Sequence, residues 1–131
     1  MSREKTFEQF LEDMAERDPR YRPEAYAFLM QALSFTVSRL EAPRHVTGRE
    51  LLLGIRDLAL QQYGPMAKPV FDHWGVRETL DFGRMVFQLV DAGLLGRTET
   101  DRLEDFDRQY DFEDALVRDY PWGMAVDRGG A

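Results

Sequence analysis

Between Thr47 and Arg97 three glycines, Gly64, Gly75 and Gly93, each follow an apolar run of helical period. Glycine placed just after the last periodic residue ends a helix, because it adopts the left-handed cap that other residues resist. A stretch punctuated in this way is confined to short consecutive helices. The spacing predicts helices over 48–63, 66–74 and 80–92. Thr47 with Glu50 forms a capping box at the first, Pro65 and Pro69 restrict the second, and Thr79 caps the third. Leu51, Leu52, Ile55, Leu58 and Ala59 give the first an inner face, as Phe82, Met85, Val86, Leu89 and Val90 do the third.

Upstream, Thr6 and Gln9 form another capping box, opening a helix over 7–17 whose Phe7, Phe10, Leu11 and Met14 share a face. Pro19 and Pro23 interrupt it, and Pro23 opens a further helix over 24–41. That helix is apolar around most of its circumference, through Ala25, Phe28, Leu29, Ala32, Leu33, Phe35, Val37 and Leu40, as a central helix is. Downstream, Leu94 and Leu95, then TETD, then RLEDF suggest a two-stranded hairpin over 94–106; the alternative is an extended, unpaired segment. Asp111 caps a short helix over 112–119 that docks Phe112, Ala115 and Leu116. The expected fold is mainly α, with about five to six helices, a helix-turn-helix or winged-helix-like core and a small hairpin as its wing. Residues 1–123 form a single domain, because a chain of 131 residues has room for one ordinary core, and 124–131 a flexible tail.

Composition narrows the function classes. No cysteine is present, which removes disulfides, thiolate metal sites and cysteine nucleophiles together. The N-terminus MSREKTFEQF lacks the apolar core of a signal peptide, and no apolar run has the length of a membrane span, so a cytoplasmic protein away from the membrane is expected. The net charge of −7 is uneven: residues 18–97 carry ten Lys or Arg against nine Asp or Glu, and residues 98–131 carry four against ten. The acidic end reads as solvated surface or as a partner-binding segment, and it opposes phosphate.

Four linked blocks, RDPRYRPEAYAFLMQAL, RHVTGRELLLGIRDLALQQYGPMAKPVFDHWGV, DFGRMVFQLVDAGLL and EDFDRQYDFEDA, resemble an uncharacterised bacterial protein family encountered mainly in planctomycete and verrucomicrobial genomes. The resemblance covers about residues 15–116 and carries over no catalytic or ligand residue, since the family has no assigned activity.

Enzymatic chemistry finds little footing. His45 sits in a turn before a helix, and His73 near a helix C-terminus, where the dipole favours imidazolium. Ser34 and Ser38 lie in a helix and not in a nucleophile elbow. Asp72 and His73 are adjacent and diverge, unlike an i, i+4 ligand pair, while Asp101, Glu104, Asp105 and Asp107 lack the glycine and terminal glutamate of a calcium loop. No catalytic residue, metal site or cofactor is assigned; an enzyme or metal protein with an unrecognised site is the third reading.

Two binding surfaces are candidates. Arg17, Arg20, Arg22, Arg44 and Arg49 border the helix 24–41 and, with Tyr21 and Tyr26, could hold phosphate or a nucleic-acid strand by charge and stacking. Their alternative is ion pairing to Asp18, Glu24 and Glu50. Phe106, Tyr110, Phe112, Tyr120 and Trp122 could anchor a protein partner or a homodimer, or fold back over the core. The helix 80–92 offers Asp81, Arg84, Gln88 and Asp91 to its exposed side, a poor major-groove reader. The leading expectation is a non-catalytic interaction or regulatory protein with an unknown protein partner; a winged-helix-like nucleic-acid-binding regulator is the alternative.

Overall fold

The computed structural model describes residues 5–96 and 102–118. Among them the fold is mainly α, with helices α1 (Phe7–Arg17), α2 (Pro23–Ser38), α3 (Gly48–Tyr63), α4 (Ala67–His73) and α5 (Thr79–Asp91). Short 3₁₀ turns occupy Gly64–Met66 and Leu103–Phe106, and a π-helical turn occupies Glu113–Arg118. The most extensive contact is between α2 and α3; α1 packs on α2, and α5 reaches both central helices. The turn Leu103–Phe106 lies against α5 and α3, while Glu113–Arg118 closes over α3 and α4. No helix among the described residues is long and apolar enough to cross a membrane.

The starts of α1, α3 and α5 each have a local chemical cause. At α1 the Gln9 amide donates to Thr6 Oγ1 (3.2 Å) and the Thr6 amide to Gln9 Oε1 (2.8 Å); Thr47 and Glu50 repeat the exchange at α3 at 3.0 and 3.1 Å. At α5 the cap is Glu78 and not Thr79. Asp81 reaches back to accept from the Glu78 amide (3.2 Å), which leaves the Thr79 hydroxyl free to donate to the Phe106 carbonyl at 2.6 Å. Helix α2 stops at Ser38, short of the expected 41. The Thr36 hydroxyl donates back to the Ala32 carbonyl and Ser38 Oγ to the Phe35 carbonyl, both at 2.7 Å, and such back-bonding competes with continued helix.

The inner faces of α3 and α5 are largely as the spacing predicts: Leu51, Leu52, Ile55, Leu58 and Ala59 are buried, as are Phe82, Met85 and Leu89. Phe7 and Val37 depart from expectation, at 46% and 43% exposed. The core also draws on residues without periodicity. Phe71 sits amid an aromatic cluster with ring centroids 5.7 Å from Phe28, 5.8 Å from Trp74 and 5.3 Å from both Phe82 and Phe112.

No strand occurs among the described residues, and the hairpin expectation for 94–106 is corrected where it can be read. Gly93, at φ +80°, turns the chain so that the Leu94 and Leu95 amides both donate to the Leu89 carbonyl, at 2.9 and 3.3 Å. These leucines therefore cap α5. Leu103–Phe106 coils into a 3₁₀ turn because Phe106 is driven into a notch where Gly48 and Gly83 leave no side chain in its way. The TETD segment falls largely within 97–101, outside the described residues, as do the tail 124–131 and the two aromatic candidates Tyr120 and Trp122.

Candidate binding groove

An open groove of about 750 Å³ lies between the second half of α2, the start of α3 and the C-terminal half of α5. That volume is in the range of clefts that take up ligands or side chains of a partner. Leu33 and Val37 of α2 form one wall, Val86, Phe87 and Val90 of α5 the other; Val46, Leu51, Leu95 and Phe106 add to the apolar lining, and Arg44, His45, Thr47 and Asp91 also border it. Val86 and Val90, expected to face the core, are half-buried because they face this space. Phe87 meets Phe106 edge-on, with centroids 6.5 Å apart and planes at 88°. The signal for the groove was present in the sequence: α2 is apolar over more of its surface than a single core face requires, and the apolar residues of α5 extend to Phe87.

Charge enters only at the margin. Arg44 is held by Glu50 in a two-point contact (Nη1 to Oε1 2.9 Å, Nη2 to Oε2 2.6 Å) and also donates to the His45 carbonyl at 2.9 Å. The Arg44 hydrogen bond, then the Thr47 amide, lower the Glu50 carboxyl to about 2. Asp91, on the opposite wall and exposed, ends α5 and makes no ion pair or side-chain hydrogen bond among the described residues.

The five arginines do not converge. Arg17, Arg20 and Arg22 lie before α2 and Arg44 and Arg49 after it, and a helix of that length spans about 24 Å. Arg20 binds Asp18 through Nε (2.9 Å) and Nη2 (2.7 Å), and Arg22 Nε donates to the His73 carbonyl at 3.1 Å. The stacking role for the tyrosines is corrected as well: Tyr21 and Tyr26 are 1% and 0% exposed, so neither ring can meet a base. Their hydroxyls enter a buried network instead. Tyr21 donates to Asp81, which also accepts from the Arg77 amide (2.9 Å), the Glu78 amide and Arg84 Nη1 (2.7 Å). Tyr26 donates to Gln88 Oε1, and Gln88 Nε2 to Asp18, both at 2.6 Å. Burial is the main cause that raises both phenols above their ordinary value.

This network also corrects the reading of α5. Asp81 is 7% exposed and Arg84 and Gln88 are half-buried, since the α1–α2 loop covers that side. Of the four residues expected outside, only Asp91 is exposed. The three aromatic candidates among the described residues fold inward: Phe106 and Phe112 are buried, and Tyr110 is half-buried with its hydroxyl donating to the Leu52 carbonyl. No cluster of three or more metal-ligating side chains occurs among the described residues.

The network makes stability depend on acid. The Arg20 hydrogen bond, with Gln88 assisting against burial, lowers the Asp18 carboxyl from 3.8 to about 2. A carboxyl depressed by folding stabilises fully above its unfolded value, and that contribution is lost as pH falls through its folded value. Urea denaturation at about pH 5 and about pH 2.5 is expected to show a larger loss of stability in the parent protein than in Asp18→Asn. Equal losses would exclude Asp18 as a source of the acid sensitivity.

No family model matches the chain, and no curated protein or solved structure shows significant similarity to it.

Proposed function

We propose that this chain is a non-catalytic interaction or regulatory module, working in the cytoplasm, and that the groove between α2 and α5 is its binding surface. The observation that carries this reading is the apolar lining left open to solvent, with Val37 43% exposed beside Val86, Phe87 and Val90. An apolar concavity kept accessible to solvent is a mark of an interaction site. Membership of the bacterial family that the four sequence blocks resemble is part of the same proposal and adds no activity to it.

Nile red, a neutral dye that brightens and shifts to the blue in apolar surroundings, tests the groove. The parent protein is expected to enhance its emission and Val37→Asn to reduce that response by about half or more, because Val37 is an exposed part of the wall. An identical response from the two proteins would remove the groove as the apolar site.

A nucleic-acid-binding regulator is the second reading, resting on the exposed Arg17 and Arg22 before α2 and Arg49 after it, which would each have to meet a phosphate separately. It predicts binding to pooled DNA or RNA that weakens steeply with salt, read by fluorescence anisotropy. Absence of binding at low salt would retire it.

A further inference from the structure

We propose that the groove receives a short amphipathic helix of a partner protein whose apolar face carries a lysine or arginine at the end that meets Asp91. The inference rests on the groove being a binding surface and specifies the chemistry of its occupant.

The argument begins with Asp91. It is the last residue of α5, where the aligned peptide dipoles give the helix end a partial negative charge that disfavours a carboxylate. No basic residue occupies that last turn, and Asp91 has no side-chain ion pair or hydrogen bond among the described residues. The carboxylate and the helix end therefore add at one mouth of an apolar cleft. Both acceptors are satisfied at once by a cation supplied from outside.

The rest of the groove agrees in sign. Arg44, the guanidinium on its lining, is engaged by Glu50 and does not present an unpaired positive charge to an incoming chain. The exposed charged residues beside Phe106 in the chain, Arg102, Glu104, Asp105, Asp107 and Arg108, have a negative balance. A basic partner is thus steered towards this face, and an acidic one repelled. Shape selects the form of that partner. The two walls are helices, with Leu33 and Val37 one turn apart facing Val86 and Val90 one turn apart, so the trough accepts side chains projecting at helical spacing.

The probe is a fluorescein-labelled synthetic helix of about fourteen residues, with leucine at i, i+3, i+4 and i+7 and lysine on its flanks. Its companions are a twin with glutamate for lysine and a scrambled peptide of the same composition. Anisotropy titrations against the full chain are expected to show binding of the lysine helix, with the glutamate twin and the scrambled peptide each weaker by about tenfold or more. Asp91→Asn should weaken the lysine helix about threefold while leaving the Nile red response intact. Val37→Asn should weaken it about tenfold and reduce the dye response too. Both positions are exposed, and far-UV circular dichroism checks that each variant is folded.

Equal binding of the lysine and glutamate helices, equal binding of the scrambled peptide, or indifference to Asp91→Asn would overturn the proposal. So would displacement of Nile red by dodecylamine but not by the lysine helix, which would make the occupant a small cationic amphiphile. In these cases a dye response that still depends on Val37 keeps the groove as the binding surface. If the dye response does not depend on Val37, the groove reading itself fails and this proposal falls with it.

Discussion

Replacing Phe106 by alanine is expected to destabilise the protein by about 3–5 kcal/mol and to lower Tm by about 10 to 15 °C. The ring is 1% exposed and fills a space made by two glycines. A Cβ on Gly48 would lie 2.9 Å from Phe106 Cζ, and one on Gly83 would lie 2.6 Å from Phe106 Cβ. Both helices therefore approach the ring more closely than any other residue pair would permit. Truncation loses the burial of a full aromatic side chain and leaves a void between two helix backbones that are anchored elsewhere in the core and cannot collapse freely. Phe87→Ala is the matched control, half-buried on the open side of the same contact, and should cost about 1–2 kcal/mol. Thermal and urea denaturation of the two variants give the comparison. A cost for Phe106→Ala below that of Phe87→Ala would mean that the turn Leu103–Phe106 is not integral to the fold, and the groove would lose its floor as a defined surface.

The same residue shows where the sequence was legible and where it was not. Helix boundaries could be read because their causes are local. A hydroxyl and a carboxylate or amide side chain three residues apart, or a glycine after the last apolar position, act within a single turn; α1 and α3 begin at such pairs, and α3 ends at Gly64. A glycine inside a helical pattern, as Gly83 is, favours close packing, yet nothing near it in sequence names Phe106 as the group that packs there. The pairing spans 23 positions of chain and depends on how α5 lies on α3. Phe71 and Trp74 were hidden for another reason: α4 has 7 residues, too few for a hydrophobic period to show. The buried network was the least accessible. Asp81 and Gln88 occupy positions that a helical wheel assigns to solvent, and only the approach of the α1–α2 loop turns that solvent side into an interior one. The arginines do not meet because they border opposite ends of α2, and nearness to the same helix in sequence carries no information on their separation in space.

That loop is held by a contact whose removal should have the other large effect. Gly75 closes α4 at φ +85°, and a Cβ there would lie 1.8 Å from the Arg20 carbonyl oxygen. The neighbouring bonds leave little room for adjustment: the Arg22 amide donates to the Trp74 carbonyl (3.1 Å), the Val76 amide to the Phe71 carbonyl (2.9 Å) and the Gly75 amide to the Asp72 carbonyl (3.0 Å). Gly75→Ala adds backbone strain to a clash with main chain, and relieving the clash displaces the segment that carries Asp18, Tyr21 and Arg22. A loss of about 3–5 kcal/mol is expected. Gly93 separates the two causes. It has nearly the same conformation, φ +80°, but no atom of the described residues lies within 4 Å of its hypothetical Cβ. Gly93→Ala should therefore cost about 1 kcal/mol, the conformational part alone. Urea denaturation of the two variants at equal m-value measures the difference, which is the contribution of the close approach itself. Equal losses would show that α4 and the α1–α2 loop can part without consequence, and that the Asp18–Gln88 and Tyr21–Asp81 bonds do not depend on where α4 ends.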